Sequence, residues 1–426
     1  MQSFSSFTLI LFMTLMLCPG RSTGAPVVQD AQSDRDAIYR REGRGDMSGA
    51  QVFDDIGKTQ VGQIAATVHE IQALGSQTDS QLPGEVPKAI RGLLTTLKHQ
   101  LRDIIIKQVN ARASRSSPAR MRAAARAALA GYGVPVGEPE AWTHDPFLAG
   151  YGYVLGLEIE RPASHPDLLV AKTRLAIPCG DDTSFYLFKR NAGRYELALA
   201  LEANGYETLL GAQSSFAYSI SPPDGRGNFF VVAADVNAWC TSRWQGLRYK
   251  VMRIGSSPYE PQFIARAEHG VLIDKAPMFK LTTRVDGFRL SFWEAQSLDG
   301  GIMERRYVLN YALTGSGLKR IAPLAFRPED FLDEWIHLPW AAASEWVEPS
   351  RLAELQSWHE RLQAHNNHCC SEFDLDALRP YRPRLKTWRV VVNFSDELAG
   401  QLPPRVAFKI SRRRGTFFIE DIRPKT

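Results

Sequence analysis

Long apolar runs are what this sequence has least of. Beyond residues 7–18 no stretch approaches eighteen consecutive apolar residues, so no later segment is expected to cross a bilayer as a helix. Cysteine is scarce as well. Five in 426 residues are too few for a disulfide scaffold. Past residue 25 there is no G-x-S-x-G elbow, and nowhere a G-x-x-x-x-G-K-S/T phosphate loop or a G-x-G-x-x-G after a strand. These absences remove the nucleophile-elbow hydrolases, P-loop nucleotidases and dinucleotide enzymes that announce themselves by motif. No cofactor is expected.

What is present begins with "MQSFSSFTLILFMTLMLCPGRSTGA". Its apolar core from Phe7 to Cys18 is too short for a bilayer span but has the length of a secretory signal, and small residues at Ser22 and Gly24 place cleavage after Gly24. Residues 1–24 are therefore read as a signal peptide, and the chain as exported to a periplasm or the extracellular space. Residues 25–46 are polar, charged and without periodicity, which predicts a disordered linker.

Charge is unevenly placed. The net charge is +5, yet Lys88–Arg126 alone carries ten Lys or Arg against Asp103. This segment lies in a helical region, 47–133, where Ile90, Leu94, Leu97, Leu101, Ile104, Ile105 and Val109 recur at three- and four-residue spacing after a Pro/Gly break. The break predicts a helical hairpin, and "PARMRAAARAALAGYG" a further helix. Lys88, Arg91, Lys98, Arg102, Lys107 and Arg112 are expected in solvent, where they suit weak contact with an anionic surface. Nucleic acid is not an expected partner of an exported chain.

From residue 150 to 326 the pattern changes to short strands in groups of four. "LLVAKTRLAIP", "NFFVVAADVNA" and "GFRLSFWEAQS" start about 60 residues apart, and each precedes a strand bearing Tyr186, Tyr249 or Tyr307. The expectation is an α+β, mainly β protein: a helical hairpin region, then an antiparallel β domain of about three four-stranded repeats, propeller-like or a sandwich. A helical insert (327–370) and C-terminal antiparallel strands (371–426) follow. In the latter, "VAFKISRRRGTF" parallels "FYLFKRNAGRY" and suggests completion of the β domain.

The most chemically loaded stretch is "HNNHCC". His365, His368, Cys369 and Cys370 are four ligands of types suited to zinc, but adjacent cysteines diverge along the backbone and seldom share an ion. Signal removal leaves four cysteines, Cys179, Cys240, Cys369 and Cys370, an even number that favours disulfides in an exported chain. One bond from each adjacent cysteine to each of the other two is the preferred pairing. Cys179 and Cys240 follow the second strand of their units, and the loops there gather Asp181, Asp182, Trp239, Arg243, Trp244 and Asp299 as a candidate binding set. Aromatic and polar groups on neighbouring loops suit a glycan, peptide or protein ligand. The chain thus reads as a non-enzymatic binding or structural module. The rival is a cell-envelope hydrolase with a carboxylate acid/base site on the same loops.

Overall fold

The computed structural model describes residues 52–77, 86–111, 117–137, 151, 154–177, 180–203, 213–237, 244–272, 277–298, 301–315, 317–366, 374–375, 386–394 and 402–425. Three helices come first: α1 (Val52–Gln77), α2 (Lys88–Ala111) and α3 (Pro118–Gly131). The apolar stripe of α2 is buried along its whole length, from Ile90 to Val109. Ser117 caps α3, accepting a bond from the Arg120 amide at 3.4 Å, and Pro118 supplies a first-turn residue with no amide proton to satisfy.

Twelve strands follow: β1 (Leu155–Glu160), β2 (Leu168–Ile177), β3 (Gly180–Asn191), β4 (Arg194–Leu201), β5 (Gln213–Ile220), β6 (Val231–Asn237), β7 (Trp244–Ser257), β8 (Glu260–Leu272), β9 (Phe279–Arg284), β10 (Gly287–Leu298), β11 (Gly301–Thr314) and β12 (Gly317–Arg320). After them come α4 (Pro328–His337), α5 (Trp340–Ala343) and α6 (Leu352–Asn366). The last strands are β13 (Asp374–Leu375), β14 (Thr387–Asn393), β15 (Arg405–Arg413) and β16 (Thr416–Pro424). Among the described residues the fold is mainly antiparallel β with six helices, and no sheet closes into a barrel.

The four-strand groups drawn from the sequence fall on β1–β4, β5–β8 and β9–β12, each hydrogen-bonded in chain order. The first two merge into one eight-stranded sheet because β3 is shared. Its Phe185–Asn191 half pairs with β4, while Asp181 at its other end pairs with Gln213 of β5. The β9–β12 and β13–β16 groups form four-stranded sheets of their own.

Side-chain alternation along β3 places two cores on opposite faces of one strand. Tyr186 and Phe188 join α1–α3 in a helix-on-sheet core, while Phe185 and Leu187 join Val231, Ala233 and Met252 in another. Covered on both faces, the strand reads as the unbroken apolar run "FYLF" rather than alternating. A third core brings Val232, Tyr249 and Val251 together with Phe288, Phe292 and Leu309, and a fourth packs α4–α6 on β14–β16. In the insert, Leu355, Trp358 and Leu362 of α6 are buried as their spacing predicts. Leu352, expected on the same stripe, is 43% exposed at the first position of the helix.

Two registers recur. In β2–β3, β6–β7 and β10–β11 the tyrosine pairs with Ala171, Ala234 and Phe292 respectively, fifteen residues earlier each time. The β3–β4 and β15–β16 hairpins share more. Both turn through two left-handed residues, Ala192 (φ 45°) and Gly193 (φ 84°) against Arg414 (φ 50°) and Gly415 (φ 85°). Both carry a bulge at the same distance from the turn, at Leu187/Phe188 and Lys409/Ile410.

Candidate functional site

Two buried polar assemblies carry the densest chemistry among the described residues. The first lies where α2 crosses β3 and the end of β4. Lys98 approaches Asp182 Oδ2 at 3.2 Å, with side chains 3% and 0% exposed, and also donates to the Ala203 carbonyl. One turn along α2, Arg102 Nη1 bonds Glu202 Oε1 at 3.2 Å, and the Tyr186 hydroxyl donates to the same oxygen at 2.8 Å. Burial pushes the Tyr186 phenol well above its usual range, and the Glu202 carboxylate adds to the effect. It is therefore a fixed donor, not a proton acceptor.

Lys98, expected in solvent, is instead under the helix, and Arg102 is half-buried. The physical reason is helical phase: Lys98 follows Leu97 and precedes Leu101, so its stem lies on the flank of the apolar stripe and reaches a strand carboxylate. Lys107, expected in solvent with them, is exposed; Arg112 lies outside the described residues.

Asp181 and Asp182, read from sequence as loop residues of one face, belong to β3 and are buried. Neighbours on a strand point to opposite faces. Asp182 meets Lys98 on the helical side, whereas Asp181 accepts from Arg174 Nε at 3.0 Å. Burial raises the Asp181 carboxyl against the pull of Arg174. Two carboxylates facing apart cannot share a substrate atom, which disfavours an acid pair at this point of the hydrolase reading.

The second assembly joins α4 to β11 and β12. Asp330, Asp333 and Glu334 share one helical face, by their spacing of three and four residues. Arg305 of β11, 1% exposed, contacts Asp333, bonds Glu334 Oε2 at 3.4 Å and donates to the Asp330 carbonyl at 2.7 Å. Arg320 of β12 pairs with the other Glu334 oxygen. Burial alone would raise the Glu334 carboxyl, but Arg320 and Arg305 outweigh it and hold it below the usual range. His269 of β8 lies nearby, stacked on Tyr249 at 5.9 Å, and burial pushes its imidazole down to about 4. Glu334 is locked between two guanidiniums beside a histidine held neutral, and this geometry is that of a clamp.

Asp330 behaves differently. Negative charge at a helix start is ordinarily favoured, yet burial pushes this carboxyl up to about 6, against the pull of Arg305 and Arg327. A carboxyl that binds its proton more tightly folded than unfolded adds stability below about pH 4 and loses it as pH rises through about 6. Asp330→Asn is therefore expected to exceed the wild type by more near pH 7.5 than near pH 4.5 in urea unfolding. An equal difference at both pH values would contradict this.

Of the other predicted residues, Trp244 opens β7 opposite Leu272, and its side chain is outside the described set. Trp239, Arg243, Asp299, Cys179, Cys240, His368, Cys369 and Cys370 lie outside the described residues, as does the side chain of His365 at the end of α6. Among the described residues no three of His, Cys, Asp and Glu gather as metal ligands. His359 of "WHERLQ" packs in the core, edge-on to Trp335 at 4.7 Å with Nε2 3.1 Å from the Trp335 carbonyl oxygen.

Sequence reasoning missed Arg305, Arg320 and His269. The available signal was "EDFLDEW", whose three same-face acids called for buried cations elsewhere. No protein-family model matches the chain, and no curated protein matches it significantly.

Proposed function

We propose that the chain is an exported, non-enzymatic binding or structural protein that holds a glycan, peptide or protein on the β2–β3, β6–β7 and β10–β11 connections. The observation that supports this most is a row of backbone pairs. Asp181 pairs with Gln213, and Gln213 with Asn237, so the β2–β3 and β6–β7 connections leave the same end of the eight-stranded sheet. The third connection is consistent with that placement. Gly270, opposite Gly246 near the start of β7, lies against the Glu294 side chain, four residues before β10 ends.

On this reading the four-stranded groups are copies of one unit, with β13–β16 a fourth, supported by the shared fifteen-residue pairing and by the matching hairpins. Cys179 and Cys240 belong to the first two connections, and bonds from them to Cys369 and Cys370 would staple the insert across the loops. Four free thiols in a non-reduced peptide map would remove that part of the proposal.

The binding test is an array of glycans and peptides probed with the full chain. Trp244→Ala is expected to lower binding of any ligand found by about ten-fold or more, as loss of an aromatic contact centre does. Unchanged binding would end the loop reading.

A further inference from the structure

The amino-acid sequence draws attention to the basic helices, but a cation excess of the same size lies elsewhere among the described residues. Residues 386–394 and 402–425 carry nine lysines and arginines against two acids, Glu420 and Asp421. Both acids are already engaged. Glu420 meets Lys409 at 2.9 Å and Arg413 at 3.1 Å, and Asp421 meets Arg423 at 2.6 Å and also Arg351. Arg413 extends to Glu348 at 2.5 Å, so the neighbouring segment contributes one further acid to a cation that has one already.

Of the six other cations, Lys386, Arg389, Arg412 and Arg414 lie toward the hairpin end of the sheet, while Arg405 and Lys425 lie at the other end. Arg389 of β14 sits directly opposite Lys409 of β15, a like-charge cross-strand pair in which Lys409 has Glu420 and Arg389 has no acid partner among the described residues. Lys386 adjoins Arg412, whose amide donates to the Lys386 carbonyl at 2.8 Å. Arg414 occupies the hairpin tip in a left-handed conformation that costs an arginine about 1 kcal/mol and would cost glycine nothing. Lys386, Arg389 and Arg414 are exposed and have no acid partner among the described residues.

We propose that this corner, the β15–β16 tip with the adjoining start of β14, docks a linear sulfated polysaccharide. Guanidiniums in a row match sulfate oxygens with paired donors. A bilayer is a poorer fit. Among the described residues the exposed large apolar ones, Tyr259, Phe263, Val285, Phe326 and Leu352, all lie outside this sheet, so none of them supplies a wedge to enter lipid here. Nucleic acid is poorer too. The sheet's half-buried rings already have partners, Trp388 edge-on to Phe417 at 5.4 Å and Phe418 under Arg413 at 5.5 Å, which leaves them less suited to base stacking. This surface is independent of the loops proposed above.

The test uses the full chain with a heparin dodecasaccharide, oligothymidylate, phosphatidylglycerol vesicles and neutral dextran, titrated from about 0.05 to about 0.5 M salt. Heparin is expected to bind best, and Lys386→Glu/Arg389→Glu/Arg414→Gly to weaken it about ten-fold or more and to flatten the salt dependence. Arg414→Gly alone should weaken binding with an unchanged or higher melting temperature, since glycine suits that backbone, so a folding defect in the triple variant would not obscure the result. Lys107→Glu/Arg122→Glu on the helices should leave affinity unchanged. The proposal is overturned by no heparin binding, by equal affinity in the Arg414→Gly and triple variants, by preference for vesicles or oligothymidylate, or by loss in the helix variant instead.

Discussion

Glu334→Ala is expected to destabilise the protein by about 3–5 kcal/mol, the usual cost of removing one member of a buried ion pair. The carboxylate bridges Arg305 and Arg320, whose side chains are 1% and 6% exposed, and both guanidiniums would stay buried after its removal. Arg305 keeps Asp333 and Tyr307. Arg320 keeps the Asn310 carbonyl, a neutral acceptor, and the Tyr311 ring at 5.2 Å. Urea unfolding gives the magnitude. Trp335, fully buried one residue along α4, gives the location, because its emission should shift to the red if the helix loosens. Arg320→Met/Glu334→Leu should recover most of the loss, since a hydrophobic pair of similar volume escapes the desolvation cost. A loss under about 1 kcal/mol for Glu334→Ala would mean that water reaches the guanidiniums and that the clamp is weak.

Lys98→Met is expected to have an effect of the same size, about 3–5 kcal/mol, for the same reason on the other side of the molecule. Asp182 has no exposed side-chain surface, and Lys98 approaches it at 3.2 Å. Unlike the α4 clamp, this pair ties elements 84 residues apart in sequence, so its loss should favour opening of the helical layer. The readout is proteolysis between α1 and β1 under native conditions, which should accelerate in Lys98→Met and return toward wild type in Lys98→Met/Asp182→Leu. Equal cleavage rates in all three proteins would rule out Lys98 as the tie.

Much of the secondary structure could be read because it rests on short-range patterns. The α2 stripe, Pro118 and Pro328 at helix starts, and Gly193 and Gly415 in the turns are signals within a few residues. The mainly antiparallel β character followed from them. What escaped was the side of each element that a charged residue faces. Lys98 reads as a surface lysine until a carboxylate on a strand 84 residues later is known to lie beneath it, and "DD" in "CGDDTS" reads as a solvated loop until the strand is known to begin at Gly180. The C-terminal basic corner escaped for another reason. Cations outnumber acids twelve to seven over residues 371–426, but only the ion pairs show that Glu420 and Asp421 are each shared between cations while Lys386, Arg389 and Arg414 have no acid partner among the described residues.

The sharing of β3 between two strand groups has a consequence for the order in which the chain can be completed. As synthesis proceeds, β3 finds β2 behind it and β4 soon after, so its Phe185–Asn191 half is paired once Leu201 has emerged. Asp181 waits for Gln213. Until then the other half of the strand is an open edge, the kind that invites pairing with another nascent chain. Asp182 lies in that stretch, and its pair with Lys98 of the earlier-made α2 ties this end of β3 to the helical layer while the edge is still open.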